Sequence, residues 1–190
     1  MANTIQVTST AASMRLVLVV AAVLGALLGS ITMLLGGEAA TTWTGVGIAV
    51  LAASLVVPVD IQQHRIPNRV TYPTTMLLTS FNVASAFLGR DLQIILTVAV
   101  STAVVLVIGL LMSRFGTLGR GDVKLAVVLS LGFGALGGIA VAGVFVIAVL
   151  VNGTTAVVLL ATKRKTRKDY LPYAPALAIG AIAAACLQAF

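Results

Sequence analysis

The chain has 190 residues, 59% hydrophobic and only 9% charged, with a formal net charge of +7. Soluble domains are roughly half apolar and about a quarter charged, so this composition excludes a water-soluble globular protein and makes lipid the solvent for much of the surface. The length allows a single domain over residues 1–190, and six or seven spanning helices of about 20 residues each would use nearly all of it.

Residues 15–35 form the first apolar run. It is long for the apolar part of a secretory leader and no A-x-A-like site closes it, so it is expected to be a retained membrane helix. It ends at Gly36-Gly37-Glu38. The second run, residues 43–59, is expected to close on Pro58 and Asp60. Residues 60–69 are too polar for hydrocarbon and carry the helix-breaking Pro67. A third run covers residues 73–88 and breaks at Gly89-Arg90-Asp91; a fourth covers 92–112 and leads past Arg114 into the loop 115–122. The fifth, residues 123–133, is short. Its rise of about 18 Å falls well below a hydrocarbon core of about 30 Å. After the glycine-rich turn 134–138 come a sixth run (139–161), a basic loop from Lys163 to Lys168, and a last run from Leu171 to Phe190. The expected fold class is all-α, a polytopic integral membrane helix bundle of about six or seven transmembrane helices.

The basic residues sit at the ends of these runs, where they set membrane orientation, and not in a stripe suited to nucleic acid. With the N-terminus inside, Arg15 and the loops near 60–72, 114–124 and 162–170 share one face. That face then carries eleven of the twelve Lys and Arg residues, with only Arg90 opposite. The positive-inside rule selects this N-in orientation. The loop 163–168 is also suited to anionic lipid headgroups.

Two of the five acidic residues fall at matching helix ends on that same face. Asp60 lies where the second helix reaches it and Asp122 where the fifth leaves it. Two carboxyl groups about 3 Å apart cannot both ionise and hold one proton between them. The ionised member can then take a proton from water while the protonated one polarises a peptide carbonyl, which hydrolyses an amide without metal or cofactor. Gly119 and Gly121, flanking Arg120, lack Cβ atoms and would permit unusual backbone angles or a close approach. Taken singly, Asp122 also reads as a helix cap and Asp60 as an interfacial residue beside Arg65. Arg65 either orients Asp60 or anchors topology. Lys124 either lowers the pKa of a carboxylate or snorkels to the headgroups. His64, the single histidine, has no second histidine or cysteine near it in sequence, so no metal site is expected.

Together these residues resemble the type IV prepilin peptidase family of G-x-G-D aspartyl proteases. Asp60 followed by Arg65-Ile66-Pro67-Asn68 is similar to that family's aspartate followed by an I/L-P-D/N element. Gly119-Arg120-Gly121-Asp122, with Val123-Lys124 behind it, resembles the signature itself. Leu171-Pro172-Tyr173-Ala174-Pro175-Ala176-Leu177 resembles the I-P-[FY]-[GA]-P element that opens the last helix. The resemblance implies that Asp60 and Asp122 are the catalytic pair, supported by Gly119, Gly121, Lys124, Arg65, Pro67 and Asn68. It implies cleavage of a prepilin or pseudopilin leader after glycine, at the cytoplasmic face of a bacterial or archaeal inner membrane. The substrate would carry a short basic leader and an apolar helix that stays in lipid. Asn68 stands where many relatives have aspartate, so no third acid is expected there. Larger relatives carry an N-terminal region with paired cysteines and also methylate the new N-terminus. This chain has only Cys186, resembles the short form of tight-adherence pilus systems, and is not expected to transfer methyl groups. Two other classes are compatible with the same acids: a small proton-coupled transporter, for which no inverted repeat is visible, and an inactive membrane scaffold of pilus assembly.

Overall fold

The structure, a computed structural model, describes residues 2–116, 118–162 and 171–190, with side chains from Met14 onward. The basic loop 163–168 lies outside the described residues. Among the described residues there is no strand. The helices are α1 (Ala2–Gln63), α2 (Asn68–Gly89), α3 (Leu92–Arg114), α4 (Arg120–Phe133), α5 (Gly138–Ala161) and α6 (Ala174–Gln188), with one 3-10 turn, Gly134–Leu136, between α4 and α5.

Helix α1 is two limbs joined at Gly37, whose φ of 67° and ψ of −161° lie outside the helical region and suit a residue without Cβ. Gly29 and Gly45 both pack against Phe81 of α2. A straight helix would hold positions 29 and 45 about 24 Å apart, so the chain doubles back at Gly37, where the sequence places the first break. The Thr41 hydroxyl consequently comes within 3.8 Å of the Met33 sulfur. The first limb runs parallel to α2, with Gly25 beside Leu77 and Met33 beside Gly89; the second runs antiparallel to it. Glycine makes this possible: a Cβ on Gly29 would lie 2.5 Å from the Phe81 carbonyl oxygen. Small residues at helix contacts are how helices approach closely in lipid.

Two expected boundaries move. The second limb does not close at Pro58; the helix continues to Gln63 with Pro58 inside it. The limb is walled by α2, α4 and α6, and tertiary packing holds helical geometry across the one hydrogen bond that proline removes. Likewise α2 begins at Asn68 and contains Pro73, so residues 68–72, read as polar loop, are its first turns.

Helix α4 is the centre of the bundle. Val123, Leu125, Val128, Leu129 and Phe133 are buried, Gly132 meets Ala49 and Gly45 of α1, and Val123 meets Gly109 of α3. Its 14 residues rise about 21 Å, and the 3-10 turn follows it directly. Among the described residues three helical stretches are long and apolar enough to cross a bilayer, Met14–Gln63, Leu92–Arg114 and Gly138–Ala161. They expose large apolar side chains such as Leu96, Val107, Val149 and Leu150, a surface that lipid covers. This is a membrane protein.

Candidate active site

Asp60 occupies the last turn of α1 and is only 1% exposed. A carboxylate there faces the negative end of its own helix. The compensating group comes from α6, where the backbone N–H of Ala174 donates to Asp60 Oδ2 at 3.1 Å. That N–H is one of those an α-helix leaves unbonded at its N-terminus, and Pro175 behind it has none to offer.

Asp122 lies in the first turn of α4, outside the three long apolar stretches, and is buried. The Gly119 N–H donates to its Oδ2 at 3.1 Å. Burial raises the Asp122 carboxyl above the usual carboxylate range, the negative charge of Asp60 raises it further, and the Gly119 N–H acts in the opposite direction. Tyr173, in the segment before α6, has its phenol raised by burial and then by the charge of Asp122. The two acids and this tyrosine share one electrostatic neighbourhood.

An open cavity of about 430 Å³ lies over both acids. Its wall includes Gly119, Gly121, Arg65, Asn68 and Lys124, and adds His64, Ile66 and Arg120. The structure thus brings together every expected site residue except Pro67, which caps α2 from outside the wall with φ −73° and ψ 127°. Arg65 is exposed on that wall.

Two expectations are corrected in detail. The glycines were expected to permit unusual backbone angles, yet Gly119 has ordinary extended values, φ −70° and ψ 147°. Its contribution is the N–H to Asp122. Gly121 serves close approach: a Cβ there would sit 3.0 Å from the Ile66 Cβ. Lys124 neither snorkels freely nor pairs with Asp122 among the described residues. Its Nζ donates to Asn68 Oδ1 at 2.7 Å and lies 4.9 Å from the centre of the Tyr72 ring, tying α4 to α2.

The sequence does not single out the Ala174 N–H, because a backbone donor leaves no mark on residue type. The available signal is the proline just after a helix start, which leaves few N–H groups to aim at an acid. Among the described residues no group of three or more His, Cys, Asp or Glu side chains comes together.

Apolar helices around a polar, acid-bearing cavity at one end of the bundle define a membrane protein with a site accessible from that end. Residues 46–161 match the model of the type IV leader peptidase family, more than half of the chain, and the chain belongs to that family. No match was found among curated proteins or among solved structures.

Proposed function

We propose that this family member is an aspartyl endopeptidase that removes the leader of prepilin-like proteins after a glycine, at the cytoplasmic face of a bacterial or archaeal inner membrane. One observation carries the reading. Asp60 and Asp122 come from helices separated by two others, yet they line one cavity, and the charge of Asp60 favours a proton on Asp122.

In this mechanism Asp60, held by the Ala174 N–H, carries the negative charge and takes a proton from the attacking water. Asp122 carries the shared proton and polarises the scissile carbonyl. Water's oxygen bonds to the carbonyl carbon, the C–N bond breaks, and the leaving amine receives a proton. The pair finishes with the single proton it started with. No covalent intermediate or cofactor is required.

Orientation follows from charge. Arg65, Arg69, Arg114, Arg120 and Lys124 lie at the acid end, whereas Arg90 lies at the other with Glu38 and Asp91. The positive-inside rule makes the acid end cytoplasmic. Counting both limbs of α1, seven segments alternate in direction, which supports an N-in, multi-pass arrangement as a single domain. The decisive test is leader processing in reconstituted membranes. Asp60→Asn and Asp122→Asn should each abolish cleavage while the protein stays in the membrane fraction. Wild-type cleavage by both single variants would reject the reading.

A further inference from the structure

Helices α3 and α5 flank a groove of about 450 Å³ floored by parts of α4 and α6. Val104, Ile108 and Met112 form one wall and Ala142, Val146 and Val149 the other. Both sets recur at helical spacing, so each makes a continuous stripe along its helix. The polar groups lie at the ends, Ser101 at one and Asp122 with Tyr173 at the other. The groove therefore begins at the candidate active site and runs away from it into the apolar part of the bundle.

We propose that this groove seats the apolar helix that follows the scissile bond of the substrate, with the cleaved end at Asp122. The inference rests on the peptidase reading and adds the place where the membrane part of the substrate lies. Three features support it. The first is length: from Val100 to Met112 the α3 wall rises about 18 Å, or between three and four helical turns. A strand would leave its backbone groups unpaired in lipid, whereas a helix satisfies its own. The second is width, because Ala126, Gly138 and Ala142 remove bulk along the groove and small residues admit a helix closely.

The third is charge. Among the described residues the lining holds no cation, and its one acidic group stands at the site end. This suits a neutral helix whose only charge is created by the reaction. Cleavage leaves a new terminal ammonium, and the groove would hold it beside the acids. A charged side chain further along the substrate helix would find no partner, so the groove also selects against one.

The test is photocrosslinking in proteoliposomes, using a synthetic peptide with a short basic leader, a glycine and a 20-residue apolar helix. The photoreactive residue p-benzoylphenylalanine replaces Val146, or Val104 on the facing wall, in an Asp60→Asn background that keeps the peptide intact. A control probe replaces Leu106, which is 40% exposed and by helical spacing falls on the side of α3 opposite the lining residues. The expected result is capture of the peptide through its apolar helix at 146 and 104, and of lipid alone at 106. Capture of only lipid, or of a second copy of the protein, at 146 and 104 overturns the proposal. The unlabelled wild-type protein is assayed for cleavage of the same peptide. Cleavage without capture overturns the groove assignment and leaves the peptidase reading standing. Capture without cleavage keeps the groove as a seat for an apolar helix but overturns the peptidase reading and, with it, the placing of a cleaved end at Asp122.

Discussion

Gly121→Ala separates positioning from stability. The new methyl would lie 3.0 Å from the Ile66 Cβ and 3.3 Å from its Cγ1, inside the optimal carbon–carbon separation of about 3.5–4.0 Å. Gly121 is not among the residues with positive φ, so alanine adds no backbone strain, and it gains about 0.5–1 kcal/mol of helix propensity. Ile66 is 6% exposed and fixed between the end of α1 and Pro67, so the loop or the first turn of α4 must yield. Overpacking of this kind costs about 1–3 kcal/mol. The net loss of stability is then about 0–2.5 kcal/mol. The effect on activity is larger, because the element that yields carries Asp122 or leads away from Asp60. A shift of about 1 Å in a reacting group costs about a hundredfold in rate. The melting temperature in detergent should fall by no more than about 10 °C, while kcat for leader cleavage falls by about tenfold to a hundredfold, and Gly121→Val should fall further. Wild-type kcat in Gly121→Ala would refute the claim that the Ile66 contact sets the geometry of the pair. So would an activity loss that only tracks loss of folded protein.

Other expectations follow from the same structure. Because the Asp122 carboxyl is raised in the folded protein, its stabilising contribution is fully present below the usual carboxylate range and lost as pH rises through the raised value. Melting temperature should therefore fall from mildly acid to neutral pH, and Asp122→Asn should flatten that slope; an unchanged slope refutes the assignment. Gly180→Val would set a Cβ 2.5 Å from the Val144 carbonyl oxygen and 3.0 Å from the Ala148 nitrogen. Backbone cannot move aside, so α5 and α6 should separate at a cost of about 2–3 kcal/mol. Gly143→Ala, with nothing within 4 Å of its Cβ, should leave unfolding unchanged or slightly improved. Lys124→Met removes a partly exposed bond to Asn68 and the contact with Tyr72, which should cost about 0.5–1 kcal/mol. Asn68→Ala should cost no more in that background than the loss of its remaining contacts; full additivity in the double-mutant cycle would show that the pair does not interact.

The helices were legible wherever hydrophobicity and glycine spoke together. The run from 15 to 35, the break at Gly37 and the breaks at Gly89 and Gly134–Gly138 stand in the structure as the sequence places them. Prolines misled. Pro58 and Pro73 lie inside helices, because a membrane bundle supplies the packing that isolated propensity lacks. At the site, the common location of Asp60 and Asp122 followed from counting segments. The partners of those acids did not follow, since both are backbone N–H groups, from Ala174 and Gly119. Lys124 was legible as a polar residue close to the acids, but its choice of Asn68 over Asp122 depends on how α2 and α4 cross, which spacing along one chain cannot fix.

The choice of backbone donors bears on the proposed chemistry. Two buried acids need compensation, and cations are near at hand: Arg65, Arg120 and Lys124 all line the cavity. A salt bridge from one of them would pin an ionised carboxylate and lower its pKa by about 1–3 units. That would empty the pair of its shared proton. A helix N-terminus carries only about half a positive charge, and among the described residues each acid accepts one N–H from such an end. In the proposed mechanism, compensation of that size holds the carboxyl groups in place and still lets burial and the charge of Asp60 favour a proton on Asp122. Diverting Lys124 to Asn68 and Tyr72 serves the same balance, because it engages the ammonium of a cavity-lining lysine away from Asp122.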